Sequence, residues 1–434
     1  MGEAVERSLE EASMESSRTY VPDDLGSTET FADPYPVYRA FRDGPPVRFP
    51  RVRGGVFPGI DRPIYAWALL RHADVVAALR DTETFSSNSP SAVPILPWLS
   101  LLHDDPPRHT HLRRIVQKSF SPRRVTELEP WIRRIVGELL DGLGAGPAEL
   151  MAGLAVPLPM RVICALLGIP AEQTALFRHW SEATIAYAGI PPHDRQQRIS
   201  AMASYLGREL AARRTQPADD LMTALVEAEI DGARLDDAEA IGFCKLLLIA
   251  GNETTTGLIG NCLHILAQRP ELWRRAREDR SLVDPILTET LRFESPVQRL
   301  TRVTRRAIDI RGAAIGEGSL VDVIFGSANR DPAVFPDPDE FRLDRPAADN
   351  VAFGHGIHYC LGAPLAKLEA RIALNAMLDR YAHLELGPEP PVRQRQAFLS
   401  LSFVSLPLIL RPPAAAAIAA PSPPPPDARA DNVG

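Results

Sequence analysis

Residues 353–362 read Phe-Gly-His-Gly-Ile-His-Tyr-Cys-Leu-Gly, which places one cysteine inside a loop spaced by glycines. The glycines at 354, 356 and 362 remove side chains around the sulfur, so backbone N–H groups can turn toward it and a flat cofactor can lie against it. A helix predicted to start near Leu361 would add the positive end of its dipole beside Cys360, which favours the ionised sulfur. The stretch therefore predicts that Cys360 is a metal ligand in its thiolate form.

The net charge, the cysteine spacing and the apolar pattern exclude several classes of protein. The formal net charge of −7 provides no general basic field for nucleic acid. Cys164, Cys244 and Cys262 are interpreted as small buried apolar residues, and the four cysteines lack both disulfide and zinc spacing, which suits a reducing compartment. The acidic N-terminus lacks the pattern of a secretory signal, and no window reaches the roughly 18 uninterrupted apolar residues of a membrane span. We expect a soluble, cytoplasmic protein.

The chain reads as mostly helical, with strands in a few places. Alternating apolar residues predict strands at Tyr65 to Leu70 and between Arg302 and Phe325, and the run from Phe398 to Leu410 predicts a late strand pair. The longest predicted helix spans Asp236 to Gln268, because Asp236 and Glu239 form a capping-box pattern and Pro270 stops it. Residues 1–28 and 413–434 are predicted to be disordered tails, acidic at one end and rich in proline and alanine at the other.

The cysteine loop resembles the haem-ligand loop of the cytochrome P-450 family, the haem-thiolate monooxygenases. Phe353, two glycines, His358 and Gly362 stand at the offsets of that family's motif around Cys360. The resemblance implies a mainly α (α+β) fold, a helical bundle with a small β-rich portion. It also implies haem b between the long helix and the cysteine loop, in a single domain over residues 29–412.

The middle of the long helix resembles the family's oxygen-activation segment. Ala250 and Gly251 would leave room above the iron, while Glu253 and Thr254 would be the acid and the alcohol that deliver protons to bound dioxygen. On its own, the segment is better explained by a threonine bonded to the preceding turn and a glutamate reaching solvent. Beside Cys360 the catalytic interpretation is favoured.

The resemblance also implies residues that hold the haem and the fold around it. His109 and Arg113, four apart on one helix face, would bind the haem propionates together with Arg302 and His358. Arg108 departs from the family pattern, because relatives usually carry an acid there. Phe353, Gly354 and Gly362 would contact the cofactor. Glu289 and Arg292 match the family's Glu-x-x-Arg pair, whose role is to fix the segment near residues 335–341.

The substrate pocket is predicted to be apolar. The family's pocket segments place these residues in it: Leu96, Trp98, Leu246, Ala250, Val297, Leu300 and Leu399. Most of them would also be explained by packing against one another. Arg299 could meet a substrate carboxylate or simply face water. An apolar site favours an apolar guest, so we expect a terpenoid, steroid, fatty acid or polyketide-like molecule.

Residues 108–124 carry six arginines and lysines and no acidic residue. A solvated helix face explains such a run equally well. The alternative is a docking surface, tested first at Arg114 and Lys118, for a ferredoxin or flavodoxin that works with its NAD(P)H reductase. No flavin or ferredoxin domain is evident in the chain, so electrons are expected from separate proteins.

These observations favour a monooxygenase that hydroxylates or epoxidises a lipophilic small molecule with O2. A peroxygenase using hydrogen peroxide is one alternative, but such relatives typically lose the acid and the alcohol that this chain keeps. A non-catalytic haem-thiolate module that is recruited to an assembly line is another, and it too tends to lose Glu253, Thr254 or Cys360.

Overall fold

The computed structural model describes residues 19–52, 62–89, 99–117, 120, 122–185, 190–230, 233–395 and 399–413. The α-helices in this part of the chain are α1 (Tyr35–Arg42), α2 (His72–Arg80), α3 (Arg108–Gln117), α4 (Pro122–Glu127), α5 (Glu129–Leu143), α6 (Pro157–Leu166), α7 (Thr174–Ile185), α8 (Pro192–Thr215), α9 (Leu221–Glu227), α10 (Asp237–Ala267), α11 (Pro270–Glu278), α12 (Val283–Phe293), α13 (Phe325–Ala328) and α14 (Ala363–Arg380). The strands are β1 (Val47–Val52), β2 (Ile64–Leu69), β3 (Phe85–Ser86), β4 (Gly146–Glu149), β5 (Glu229–Ile230), β6 (Ala233–Arg234), β7 (Arg299–Thr304), β8 (Ile308–Ile310), β9 (Ala313–Ile315), β10 (Leu320–Ile324), β11 (His383–Leu386), β12 (Val392–Arg393), β13 (Phe403–Ser405) and β14 (Pro407–Arg411).

Helix α10 is the central element, and its predicted limits are confirmed. Asp236 is the N-cap, and its carboxylate accepts the Glu239 N–H at 2.7 Å while the Glu239 carboxylate accepts the Asp236 N–H at 2.9 Å. Gln268 is the C-cap, two residues before Pro270 begins the next helix. The helix packs against α6, α8, α12 and α14 within the largest hydrophobic cluster. Its midpoint therefore lies inside the core.

A five-stranded sheet has the strand order β1-β2-β10-β7-β3. Strand β10 is parallel to β2 and antiparallel to β7, with Val321 opposite Arg302 and Asp322 opposite Thr301. The strands predicted near residues 65–70 and 302–325 are confirmed, whereas β1 was not predicted. A hydrophobic cluster covers each face of the sheet.

The prediction of a late strand pair is corrected by the structure. The run does form β13 and β14, but β13 pairs with β12, and β14 pairs with β11 and β4. Leu406 connects β13 to β14. Its N–H donates to the Glu149 carboxylate, and its carbonyl accepts the Leu150 N–H. The predicted start of the run, Phe398, lies outside the described residues.

The predicted N-terminal tail is too long. Pro22–Gly26 forms a 3-10 helix, and Leu25 is buried against Tyr35, Tyr38 and Phe49. Leu25 and the partly buried Tyr20 pack in the same cluster beside the sheet, so residues 19–28 belong to the fold. Residues 1–18 and 414–434 lie outside the described residues, and the prediction for them stays a prediction. No helix in the described ranges combines the length and the apolar character that crossing a bilayer requires.

Candidate active site

The cysteine loop lies between the sheet and the start of α14. The Cys360 N–H donates to the Phe353 carbonyl at 2.9 Å and closes the loop. Gly354 and Gly356 have φ angles of 73° and 70°, in the region that favours glycine. A Cβ on Gly356 would also stand 2.7 Å from the Leu79 carbonyl oxygen, so α2 and the loop touch through backbone alone.

The environment of the Cys360 sulfur differs from the expectation in one respect. Burial raises the pKa of the Cys360 thiol, and the Gly362 N–H, the Arg113 charge and the Ala363 N–H lower it by less. Helix α14 starts at Ala363, two residues later than predicted. The helix start therefore supplies N–H groups that favour the thiolate, and burial outweighs them in the pKa of the thiol.

Arg302, His109 and His358, which are predicted to bind propionates, lie in or beside the loop; Arg302 and His109 are buried, and His358 is partly exposed. The His109 and His358 rings are 4.2 Å apart between centroids. Burial, reinforced by Arg302 and neighbouring groups, lowers the pKa of His358 to about 2, and burial with Arg113 lowers that of His109 to about 4. Burial also lowers the pKa of the Arg302 guanidinium to about 10, against the opposite effect of Asp105. The cluster is short of negative charge.

Arg113 links α3 to the cysteine loop. Its Nη2 donates to the Tyr359 carbonyl at 2.7 Å, one residue before Cys360. The Ser87 hydroxyl holds the ring of His358 from the other side, 2.9 Å from Nε2. Both contacts fix groups that stand directly beside the sulfur.

One cavity of about 360 Å³ connects these groups to α10. The predicted site residues that line it are Leu246, Ala250, Gly251, Glu253, Thr254, Val297, Leu300, Arg302, Arg113, Phe353, Gly354, His358, Cys360, Gly362 and Leu399. His109 lies just behind this wall. Leu96 and Trp98 lie outside the described residues. The cavity is mostly apolar, with its polar groups on α10 and around the cysteine loop.

The polar segment of α10 faces this cavity. Burial, with a smaller contribution from Glu182 and against the opposite effect of Arg178, raises the pKa of Glu253 to about 7. The Thr254 hydroxyl donates to the Ala250 carbonyl at 2.7 Å, which is the local bond that the simpler interpretation predicted. The oxygen of that hydroxyl still has lone pairs to accept a hydrogen bond from the cavity.

Arg299 does not belong to the pocket. It starts β7 and is buried, and its guanidinium donates to the Leu25 carbonyl at 2.9 Å and to the Tyr38 hydroxyl at 3.2 Å. The predicted loop position was wrong because the strand begins here. Its role is to hold the N-terminal 3-10 helix against the sheet.

The polar residues that line the cavity and were missed include Arg51, His103 and Glu369. Glu369 stands four residues after Leu365 on α14, so the spacing places it on the same cavity-facing side, and burial raises its pKa well above the ordinary range. His103 accepts the Leu99 N–H at its Nδ1, and burial lowers its pKa to about 4. Arg51 comes from the unpredicted β1, so no local signal pointed to it.

Glu289 and Arg292 form a buried bidentate pair on α12, with N–O distances of 2.8 and 2.7 Å. Arg292 also donates to the carbonyls of Asn329, Pro338 and Glu340, at 3.0, 2.8 and 2.9 Å. The Glu289 carboxylate accepts the Arg342 N–H at 2.9 Å. The pair therefore ties α12 to the segment that leads into the cysteine loop.

In the structure, several of the basic side chains in residues 108–124 pair with acidic side chains, so the positively charged surface is smaller than the sequence suggests. Arg108 pairs with Asp104 and Glu239, while Arg123 and Arg124 pair with Glu127. The acids come from neighbouring positions and from α10, which a count over residues 108–124 overlooks. Arg114 remains exposed on α3, and Lys118 lies outside the described residues.

Known proteins identify the class of this fold and site. The model of the family described as Cytochrome P450 matches residues 193–408. Cytochrome P450 107B1 of Saccharopolyspora erythraea is 39% identical over 91% of this chain and 99% of its own length. Vitamin D(3) 25-hydroxylase of Pseudonocardia autotrophica is 38% identical over 84% of this chain and 90% of its own. The chain belongs to the cytochrome P450 family.

A solved structure agrees in fold. A mutant of P450 EryK in complex with erythromycin B superposes with a TM-score of 0.79 at 35% identity, covering 92% of this chain and 100% of that one. The mainly helical fold with small sheets is therefore confirmed. As a member of this family, the chain is a monooxygenase that carries haem b, receives electrons from redox partners and acts on lipophilic molecules with O2.

The residues present fit haem b. Within the described part of the chain, both ring nitrogens of buried His109 lack a hydrogen-bond partner. Two propionates would supply acceptors to this cluster, whose arginines and histidines are short of anions. A thiol at the cavity wall, between backbone N–H groups, has the chemistry of an axial ligand.

Proposed function

We propose that this protein hydroxylates or epoxidises a bulky lipophilic molecule, with Cys360 as the axial ligand of the haem iron. The observation that carries this assignment is the cavity of about 360 Å³ that is lined by Cys360, by Glu253 and Thr254, and by an apolar wall. His109, Arg113, Arg302 and His358 would hold the haem propionates, and Phe353, Gly354 and Gly362 would contact the cofactor. Residues 29–412, together with the 3-10 helix before them, form one catalytic domain.

When bound, the haem supplies the activation of O2 and the transfer of one oxygen atom to the substrate. The chain supplies the position of the substrate and the protons. Apolar residues such as Leu246, Val297 and Leu300 exclude water from the substrate and leave its oxidised carbon facing the cofactor. Ala250 and Gly251 keep the α10 surface flat at this point, so a small molecule fits beside the helix.

Glu253 and Thr254 are the proton donors in this proposal. With a pKa near neutral, the Glu253 carboxyl can hold a proton and release it in the same pH range. The Thr254 hydroxyl donates its hydrogen to the Ala250 carbonyl. To pass a proton to the cavity it rotates away from that carbonyl, donates its own hydrogen there and accepts a replacement on an oxygen lone pair.

Replacement of Cys360 tests the ligand assignment. We expect Cys360→Ala to abolish the thiolate-type absorption of the reduced carbon monoxide complex, because no sulfur remains to bind the iron. Cys164→Ala, in a buried cysteine far along the chain, is the matched control and should keep that absorption. Retention of the thiolate spectrum by Cys360→Ala would exclude Cys360 as the ligand.

Replacement of Thr254 tests the proton path. We expect Thr254→Ala to keep O2 consumption while product per O2 falls steeply, because a positioned proton donor typically contributes about 100-fold or more to its step. Thr256→Ala is the control, since the Thr256 hydroxyl donates to the Ala155 carbonyl away from the cavity. The ratio of product to O2 consumed is the measurement, and an unchanged ratio in Thr254→Ala would contradict the role.

The names of two relatives narrow the substrate class. One is a vitamin D(3) 25-hydroxylase, and another has been solved with erythromycin B. A macrolide-like polyketide or a steroid-like molecule suits the apolar wall of this cavity. Titration with 14-membered macrolactones and with secosteroids should shift the haem absorption as ligand enters, and a shift with small polar ligands alone would contradict this class.

The redox partner is proposed to be a ferredoxin or flavodoxin, with its NAD(P)H reductase, that docks near Arg114 and Lys118. Arg114 is exposed on α3, whose Arg113 contacts the cysteine loop. Arg114→Gln should slow reduction by ferredoxin about threefold at low salt, and less at high salt. Arg123→Gln, at an arginine already paired with Glu127, should have little effect. Equal effects of both variants would contradict docking at Arg114.

A further inference from the structure

A buried polar cluster lies behind the apolar wall of the cavity. We name it the Arg393 clamp, and it consists of Asn261 on α10, Glu294 after α12 and Arg393 on β12. Arg393 Nη2 donates to both Glu294 carboxylate oxygens at 2.7 Å, and its Nη1 donates to Asn261 Oδ1 at 2.9 Å. The side chains of Arg393 and Glu294 are 16% and 12% exposed, so the pair is largely shielded from solvent.

The clamp joins two backbone segments that carry the cavity wall. Asn261 Nδ2 donates to the carbonyls of Glu294 and Leu401, both at 3.0 Å. These residues flank the two segments, 296–298 and 399–401. The segments bind each other directly, since the Gln298 N–H donates to the Leu399 carbonyl at 2.7 Å and the Leu401 N–H to the Pro296 carbonyl at 2.8 Å. They therefore move as one unit.

The two joined segments, 296–298 and 399–401, pack closely against α10. A Cβ on Gly257 would lie 3.0 Å from Pro296 Cβ and 3.3 Å from the Leu401 carbonyl oxygen. Farther along, the Phe403 ring lies between the Arg393 guanidinium, 3.8 Å from its centroid, and the His264 ring, 4.6 Å from it. The wall position is thus determined by the clamp on one side and by close packing on the other.

The opposite surface of these two segments faces the substrate cavity. Val297, Leu399 and Ser400 line the cavity, whereas none of the three clamp residues does. We propose that the Arg393 clamp is a specificity-determining positioning device, which sets how far this wall reaches toward a bulky guest. The inference rests on the proposed apolar substrate pocket.

The chemistry explains why arginine is needed. The planar guanidinium makes three hydrogen bonds in fixed directions and stacks on an aromatic ring at the same time. Lysine keeps the charge, but its three donors share one nitrogen, so it cannot reproduce the planar fork whose two nitrogens reach Asn261 and Glu294 separately. A wall that shifts by about 1 Å changes the fit of a large ligand far more than that of a small one.

Two iron-binding azoles of different size test the proposal in the haem-loaded protein. Imidazole is too small to reach the wall, and clotrimazole fills an apolar pocket. In Arg393→Lys we expect the imidazole dissociation constant to stay within about twofold and that of clotrimazole to rise about tenfold, which is about 1.4 kcal/mol. The thiolate-type carbon monoxide spectrum, unchanged, would show an intact haem site.

Arg411→Lys is the matched control. Arg411 makes a bidentate pair with Glu385, but this pair lies at the surface, with side chains 55% and 46% exposed. Neither azole should bind differently. Should Arg393→Lys fail to take up haem, Glu294→Gln keeps the shape and one hydrogen bond, and the same selective loss, about threefold, is expected.

Three results would overturn the inference. Unchanged clotrimazole binding in Arg393→Lys, or in Glu294→Gln where it is needed, would show that the wall does not depend on the clamp. Equal loss of both azoles would show a general structural role. A wild-type protein that binds imidazole but not clotrimazole would contradict the proposed apolar pocket, and with it this inference.

Discussion

Gly356 determines the shape of the cysteine loop more strictly than any neighbouring glycine. Its φ of 70° and the 2.7 Å that a Cβ would have to the Leu79 carbonyl both exclude a larger residue. Gly362 differs, since it has φ of −83° and a Cβ there would be 4.0 Å from the Cys360 sulfur. The motif offsets predicted both glycines. The coordinates add that the backbone requires glycine at position 356, whereas it makes no such requirement at position 362.

We expect Gly356→Ala to destabilise the protein by about 2 kcal/mol or more and to lower its haem content, because the loop and α2 must separate. The melting temperature and the haem-to-protein ratio are the measurements. Gly142→Ala in α5 is the control, because nothing lies within 4 Å of its added methyl, and it should stabilise by about 0.5 to 1 kcal/mol. A Gly356→Ala protein with normal haem and melting would contradict the strain argument.

Among elements, α10 was the most predictable. A capping box, a long apolar run and a proline after its end are all local, so its limits followed from neighbouring residues. The strands after residue 398 were less predictable, because alternation identifies a strand but not its partner. Pairing of β13 with β12, and of β14 with β4, depends on segments up to 264 residues away.

His264 on α10 makes stability depend on pH. Burial, with Arg393 nearby, lowers the pKa of His264 to about 4, and its Nδ1 is buried without a partner within the described residues. The unfolded chain therefore binds a proton as pH falls below about 6.5 and the folded chain does not, so stability declines between about pH 6.5 and pH 4.

His264 should lower the free energy of unfolding by about 2 kcal/mol at pH 5 relative to pH 7. We expect His264→Phe, which keeps the packing on Phe403, to reduce the difference in unfolding free energy between pH 7 and pH 5 by that amount. Urea titrations at both pH values measure it. His193→Phe, at an exposed histidine, is the control. An equal pH dependence in His264→Phe and wild type would contradict the assignment.

The site as a whole is assembled from segments far apart in the chain. Residues from α3, α10, β7, the cysteine loop and the turn before β13 line or flank one cavity. The buried Glu289–Arg292 pair joins α12 to the backbone at residues 329–342, and the Arg393 clamp joins α10, α12 and β12. Each of these links buries charge that only a distant partner makes tolerable.

Local chemistry determined the cysteine loop, the polar segment of α10, the capping box and about half of the strands, since each depends on a few residues close together in the chain. Tertiary structure alone decided that Arg299 anchors the N-terminal 3-10 helix, that Arg108 is neutralised by Asp104 and Glu239, and that Arg393 meets Glu294. The reason is that the energy of a buried charge is set by the partners and solvent around it, and those are brought together only when the chain folds.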